Sequence, residues 1–203
     1  MTHYQSMLRV VFFVLPLVFV SAVPRSDAQD AEVAAGISPQ VVADYLHAVI
    51  QADRTLYATH VVSRMQDTGT VLASEGWKKR GTLPLPAQML LLSGLEVKEQ
   101  GFGLQFRLAS LWPIYERNGP STEFETKGLE AVVKDPSQPY TGIITRGEKK
   151  YFKAIYADKA VSKTCANCHN THILSAKRDH KLGDVMGGII ISFPLGSKQH
   201  DVP

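Results

Sequence analysis

The apolar residues change period at Gly101, and that change constrains the fold more than any other feature of the chain. Ahead of it, Val42, Leu46, Val49, Leu56 and Val61, with Tyr45, Ile50 and Tyr57 beside them, recur at three- and four-residue steps. Such steps gather side chains on one face of an α-helix. Ser38-Pro39 supplies an N-cap and a proline at the first helical position, and Gly69 a stop, so a helix of about 28 residues is expected. A second helix is expected from Pro86 to the stop at Gly101. Beyond it, Phe102, Leu104, Phe106 and Leu108 alternate with Gly103, Gln105, Arg107 and Ala109, the period of a half-buried strand. A short helix opened by Ser121 or Thr122 follows, then a hairpin turning near Gly147. Residues 158–184 show no clear period and read as a long functional loop with at most one helical turn, and Met186 to Phe193 is a last strand. The sum is an α+β chain: an antiparallel sheet of about four or five strands with helices on one side, preceded by a long N-terminal helix.

The N-terminus reads as an export signal. Arg9 precedes a mostly apolar run from Val10 to Val23, and Ser26-Asp27-Ala28 offers small residues at a cleavage site. That run is about 14 residues, short of the roughly 20 that a helix needs to cross a bilayer. The expected organisation is a signal peptide at 1–28, a flexible mature terminus at 29–37, one domain at 38–195 and a tail at 196–203. The expected location is periplasmic, with no membrane association after cleavage; a retained N-terminal anchor is the competing reading. Loss of Arg9, Arg25 and Asp27 moves the net charge from +3 to +2. So slight a charge, with no basic run interleaved with aromatics, gives no reason to expect nucleic acid as a partner.

Both cysteines of the chain stand in Cys165-Ala-Asn-Cys168-His169. Covalent haem attachment needs two thiols spaced for the two vinyl groups, and an imidazole that reaches the iron. This motif supplies all three, and reads as one haem c per chain with Cys165 and Cys168 as thioether sites and His169 as proximal ligand. Two rivals stay open. A redox pair needs a lowered thiolate pKa and the strand-then-helix setting of a βαβ unit. A zinc site would combine both cysteines with two of His169, His172 and His180. A structural disulfide over so short a loop would remove little entropy from the unfolded chain. The distal iron ligand has three candidates, His60 and Met65 on the first helix and Met89 on the second, beside an open or water-bound position. Lys177, Arg178, His180 and Lys181 are candidate partners for haem propionates, or a solvated basic loop.

The order of elements has the outline of PAS-type sensor domains. Four stretches, "ADRTLYATHVVSRMQ", "RNGPSTEFETKGLEAV", "YFKAIYADKAVSKTCANCHNTH" and "KLGDVMGGIIISFPL", together resemble the Tll-type c-haem sensor domain family, from about Ser38 to Leu195. The most specific part is Cys-x-x-Cys-His followed by Lys181, Gly183, Asp184 and Gly187. The resemblance implies a PAS-like sheet packed on helices, one covalent haem, and redox or small-ligand sensing. At least one member of the family takes a cysteine thiolate as distal ligand, from a helix ahead of the first strand. This chain has no third cysteine, so that ligation does not carry over, and Met89 falls near the equivalent region. The expected function is a non-enzymatic periplasmic haem sensor of redox state or a small ligand, working through a redox or signalling protein partner. A periplasmic cytochrome that carries electrons, and a zinc-binding structural domain, are the alternatives.

Overall fold

The computed structural model describes residues 36–196. The expected signal peptide, residues 29–35 of the flexible terminus and residues 197–203 of the tail lie outside the described residues. Helix α1 (Pro39–Leu56) begins where expected, with the Ser38 hydroxyl accepting the Val41 N–H at 3.3 Å and Pro39 at the first position. It continues through a π-helical segment (Tyr57–Ser63) into α2 (Arg64–Asp67). The side it buries meets the expected stripe only at Leu46 and Ile50. Ala43, Ile50, Arg54, Ala58 and Val62 face inward, whereas Tyr45, Val49 and Leu56 are more than half exposed. Alanines with no exposed surface at 43 and 58 let the helix lie close to its neighbours, and the bulkier apolar residues turn outward. Among the described residues no helix is long and apolar enough to cross a membrane.

Between the Gly69 stop and Pro86 lie a short helix, α3 (Trp77–Arg80), and a parallel bridge between Ala73 and Leu83. Helix α4 (Pro86–Glu99) packs against β1 (Gln105–Ala109). The approach is close at Gly94, where an added Cβ would lie 2.5 Å from the backbone oxygen of Phe106. Backbone cannot step aside as a side chain can, so Gly94→Ala is expected to cost about 1–3 kcal/mol, read as a lowered urea midpoint with an unchanged m-value. Strand β1 starts three residues later than the alternation suggests. Gly101 and Gly103 adopt positive φ, +78° and +81°, and a ladder cannot form through two such bends.

Helix α5 (Glu123–Lys134) is capped by Thr122, and β2 (Tyr140–Arg146) and β3 (Lys149–Lys159) form the expected hairpin. Helix α6 (Lys163–Thr171) occupies the stretch expected as loop, and β4 (Val185–Leu195) closes the domain. The four strands pair antiparallel in the order β1-β4-β3-β2, so the last strand in sequence is central. Central position explains why β4 is buried on both faces over most of its length.

Helices cover both sheet faces rather than one. On the first, Phe152, Ala154, Tyr156, Ile189 and Ile191 meet Ala43 and Ile50 of α1 and Leu90 of α4. On the second, Ile155, Ile190 and Ala109 meet Leu129 and Val132 of α5. Each large aliphatic side chain buried there contributes about 1.5–3 kcal/mol. An ion cluster fastens α5 as well: Glu125 accepts from the buried Lys153 ammonium at 2.7 Å and from the Arg107 guanidinium. The result is an α+β domain whose antiparallel sheet carries a long helix ahead of it.

Candidate functional site

Helix α6 follows directly from the end of β3 and carries the whole motif. Cys165 and Cys168 are three residues apart and His169 four from Cys165, so all three side chains share one face of the helix. Both cysteines are free and partly exposed. Cys168 and His172 line an open groove of about 330 Å³, walled by Ala73 to Gly76, Arg80 and Leu85. Burial pushes the Cys168 thiol up, reinforced by the charges of Glu75 and Cys165. A reactive redox pair needs the opposite shift.

The His169 ring stands edge-on to His180, centroids 5.8 Å apart. Burial takes its pKa down to about 4, and the charges of His180, Arg54 and His172 act in the same direction. The ring is therefore neutral at neutral pH, the form in which an imidazole ligates a metal.

The loop after α6 is folded back over it. Asn170 clamps it by donating to the His180 carbonyl at 2.8 Å and accepting the His180 N–H at 2.9 Å. Both His172 nitrogens are engaged: its Nδ1 accepts the Leu174 N–H at 3.1 Å, and its Nε2 lies 3.4 Å from Glu75. Lys177 pairs with Asp179 and sits over the Trp112 ring at 5.3 Å, while Arg178 donates to the Ser175 and Ile173 carbonyls. Lys181 engages Asp184 through its backbone N–H at 2.8 Å, its side chain exposed. Among the described residues no group of three or more His, Cys, Asp or Glu stands close enough to hold a metal ion, so the zinc set is not brought together.

The three distal candidates all fall on helices. His60 is exposed on the π-helical segment, Met65 is half-buried one turn on, and the Met89 thioether accepts from the Ser93 hydroxyl at 3.5 Å. Among the described residues none of them makes a hydrogen bond or ring contact with the Cys165–His169 turn.

Several neighbours of the site escaped the sequence reading. The π-helical segment touches α6 through Ser63 and Thr164, hydroxyls 3.3 Å apart. Such segments often mark functional sites, but no composition announces them. Arg54 and Asp158 form a buried pair at 2.8 Å whose charge reaches His169. Arg54 Nε and Nη1, Asp158 Oδ1 and His180 Nδ1 are buried without a hydrogen-bond partner. Natural interiors rarely leave such atoms unpaired, so polar groups of a ligand or water are needed here. The clue was Arg54 itself, a charge at seven- and four-residue steps from Ala43, Ile50, Ala58 and Val62. Two thiols and a neutral imidazole on one helical turn, next to orphaned buried donors, fit a covalently held haem with charged propionates.

No curated protein matches the chain. The solved structure of the cyanobacterial haem protein Tll0287 is similar over 80% of this chain and 99% of its own, at 14% identity and a TM-score of 0.47. The family model Tll0287-like matches residues 33–194, which include both helical layers, the sheet and the Cys165–His169 turn; the chain belongs to the Tll0287-like family.

Proposed function

We propose that this chain carries one haem c, bound through thioethers to Cys165 and Cys168 with His169 as an iron ligand. It works in the periplasm, after removal of residues 1–28, as a sensor of redox state or of a small ligand, and is not an enzyme. The observation that carries this reading is the single turn of α6 that presents two free thiols and a neutral imidazole on one face. Membership of a family whose solved relative is a haem protein supports it. When bound, the haem supplies an iron whose oxidation state and sixth position respond to electrons or to a small molecule.

The protein's own groups have separable tasks. His169 offers a lone pair at neutral pH. Arg54 is a buried cation with two unpartnered donor nitrogens, suited to a propionate, and Asp158 keeps it in place. Asn170 holds the 172–180 loop on α6, so a change at the iron can be passed to an exposed surface that includes Ile173 and Leu174. A redox or signalling protein would read that surface.

The test is an optical spectrum of the exported protein made with a haem-attachment system, recorded oxidised, reduced, and reduced under carbon monoxide. A c-type spectrum that resists acidified organic solvent and shifts with carbon monoxide is expected for a ligand sensor with an open or weakly held sixth position. Sharp low-spin bands indifferent to carbon monoxide would favour electron transfer or redox sensing over sensing of a small ligand. Absence of any haem band would overturn the reading.

A further inference from the structure

A second concave site lies away from the cysteine turn. It is an open groove of about 240 Å³ between α4 and the second sheet face, beyond the end of α5. From Lys153 to Asp158 is five residues along β3, about 17 Å at about 3.3 Å per residue, and the two side chains point to opposite faces. The groove is thus separate from the Arg54–Asp158 region and does not depend on the haem reading.

Two things about its lining point to a ligand. The first is charge. Lys98, Arg107, Arg146 and Lys153 face it with Glu125 as the one acidic residue, leaving three positive charges in excess. Lys153 is 2% exposed, and its ammonium has three N–H groups, of which the hydrogen bond to Glu125 uses one. The second is an orphan hydroxyl. Ser192 pairs directly across the ladder with Lys153, is 5% exposed, and its Oγ has no hydrogen-bond partner. A buried polar atom beside a buried cation is costly unless an acceptor completes it.

The rest of the lining is apolar. Leu91 and Leu95, one turn apart on α4, are about half exposed at the mouth, with Phe106 and Ile190 below. The volume accommodates about eight non-hydrogen atoms at about 30 Å³ each.

We propose that this groove binds a small organic acid, its carboxylate set against Lys153 and the Ser192 hydroxyl and its hydrocarbon part against Leu91, Leu95 and Ile190. Arg146 and Lys98 stand at the rim and attract the anion. An inorganic anion would meet the charges but leave the leucines unused, and a neutral amide would do the reverse.

Calorimetric titration of the purified full chain with hexanoate, hexanamide and inorganic phosphate tests this. Hexanoate should bind at least about tenfold more tightly than either of the others, and more weakly as salt is raised. The double variant Lys98→Ala/Arg146→Ala changes only exposed side chains, and Ser192→Ala removes only the orphan hydroxyl. Each should weaken hexanoate about tenfold without altering thermal unfolding of the unliganded protein. Phosphate binding as well as hexanoate, no heat at millimolar hexanoate, or affinity unchanged in both variants would each overturn the proposal.

Discussion

Replacing Glu125 with glutamine is expected to lower the unfolding free energy by about 3–5 kcal/mol at pH 7, and by progressively less as the pH falls towards 2. Burial by itself would raise the Glu125 pKa. The hydrogen bonds from Lys153 and Ser121 and the charge of Arg107 outweigh it and take the value from 4.5 down to about 2. At about 1.4 kcal/mol per pH unit, that difference corresponds to about 3 kcal/mol. The sign follows from the depression: the stability is present above pH 4.5 and is lost as the carboxylate is protonated on the way to pH 2. The variant also strands the Lys153 ammonium in the core, which accounts for the upper end of the range. Urea unfolding of wild type and variant between pH 7 and pH 2.5 checks this. Curves that stay parallel across that range would refute the assignment. Adding Lys153→Met to the variant should recover part of the loss, because an apolar pair costs less than an unpaired charge.

Replacing both Cys165 and Cys168 with alanine should abolish covalently held haem while leaving the domain folded. Neither cysteine is in a disulfide, both are partly exposed, and alanine is the strongest helix former, so α6 loses little. The measurement is haem staining after denaturing electrophoresis, set beside far-ultraviolet circular dichroism. A stained band that persists in the double variant would place the attachment elsewhere. His169→Met separates ligation from attachment: the band should remain and the optical spectrum should change. If the band disappears as well, His169 is needed for the attachment step itself.

The residues that mark ends of elements were legible in the sequence. Ser38-Pro39, Leu85-Pro86 and Thr122 open helices through side-chain geometry that acts within a few residues, so local reading finds them. The hairpin at Gly147 and the apolar run of β4 are equally local. Helix α6 was barely legible, because Lys163 to Thr171 is mostly polar and buries only Ala166. Its helical state is supported by what it touches, namely Ser63 across the π-helical segment and the loop that Asn170 ties down. The buried face of α1 was misjudged for a related reason. Counting large apolar residues selects Tyr45, Val49 and Leu56, whereas a tight seat against the sheet selects alanine. Cys165, Cys168 and His169 are neighbours in the sequence itself, whereas Arg54 and Asp158, 104 residues apart, meet only in three dimensions.

The position of β4 at the centre of the sheet has a consequence for the order of events as the chain is made. Gln105 of β1 must wait for Ser192, and Lys153 of β3 waits for the same residue, so the sheet cannot close until β4 has emerged. Contacts so distant in sequence form late, after the entropy of the intervening loops has been overcome. Cys165 and Cys168 emerge before β4 and stay on an unclosed chain until then. On the haem attachment proposed above, an attaching enzyme would meet the two thiols on open polypeptide, before Asn170 and the loop beyond it settle over the helix. The last eleven-residue strand acts as a timer: lengthening the segment between the cysteines and Val185 would extend that interval, and shortening it would close the domain sooner.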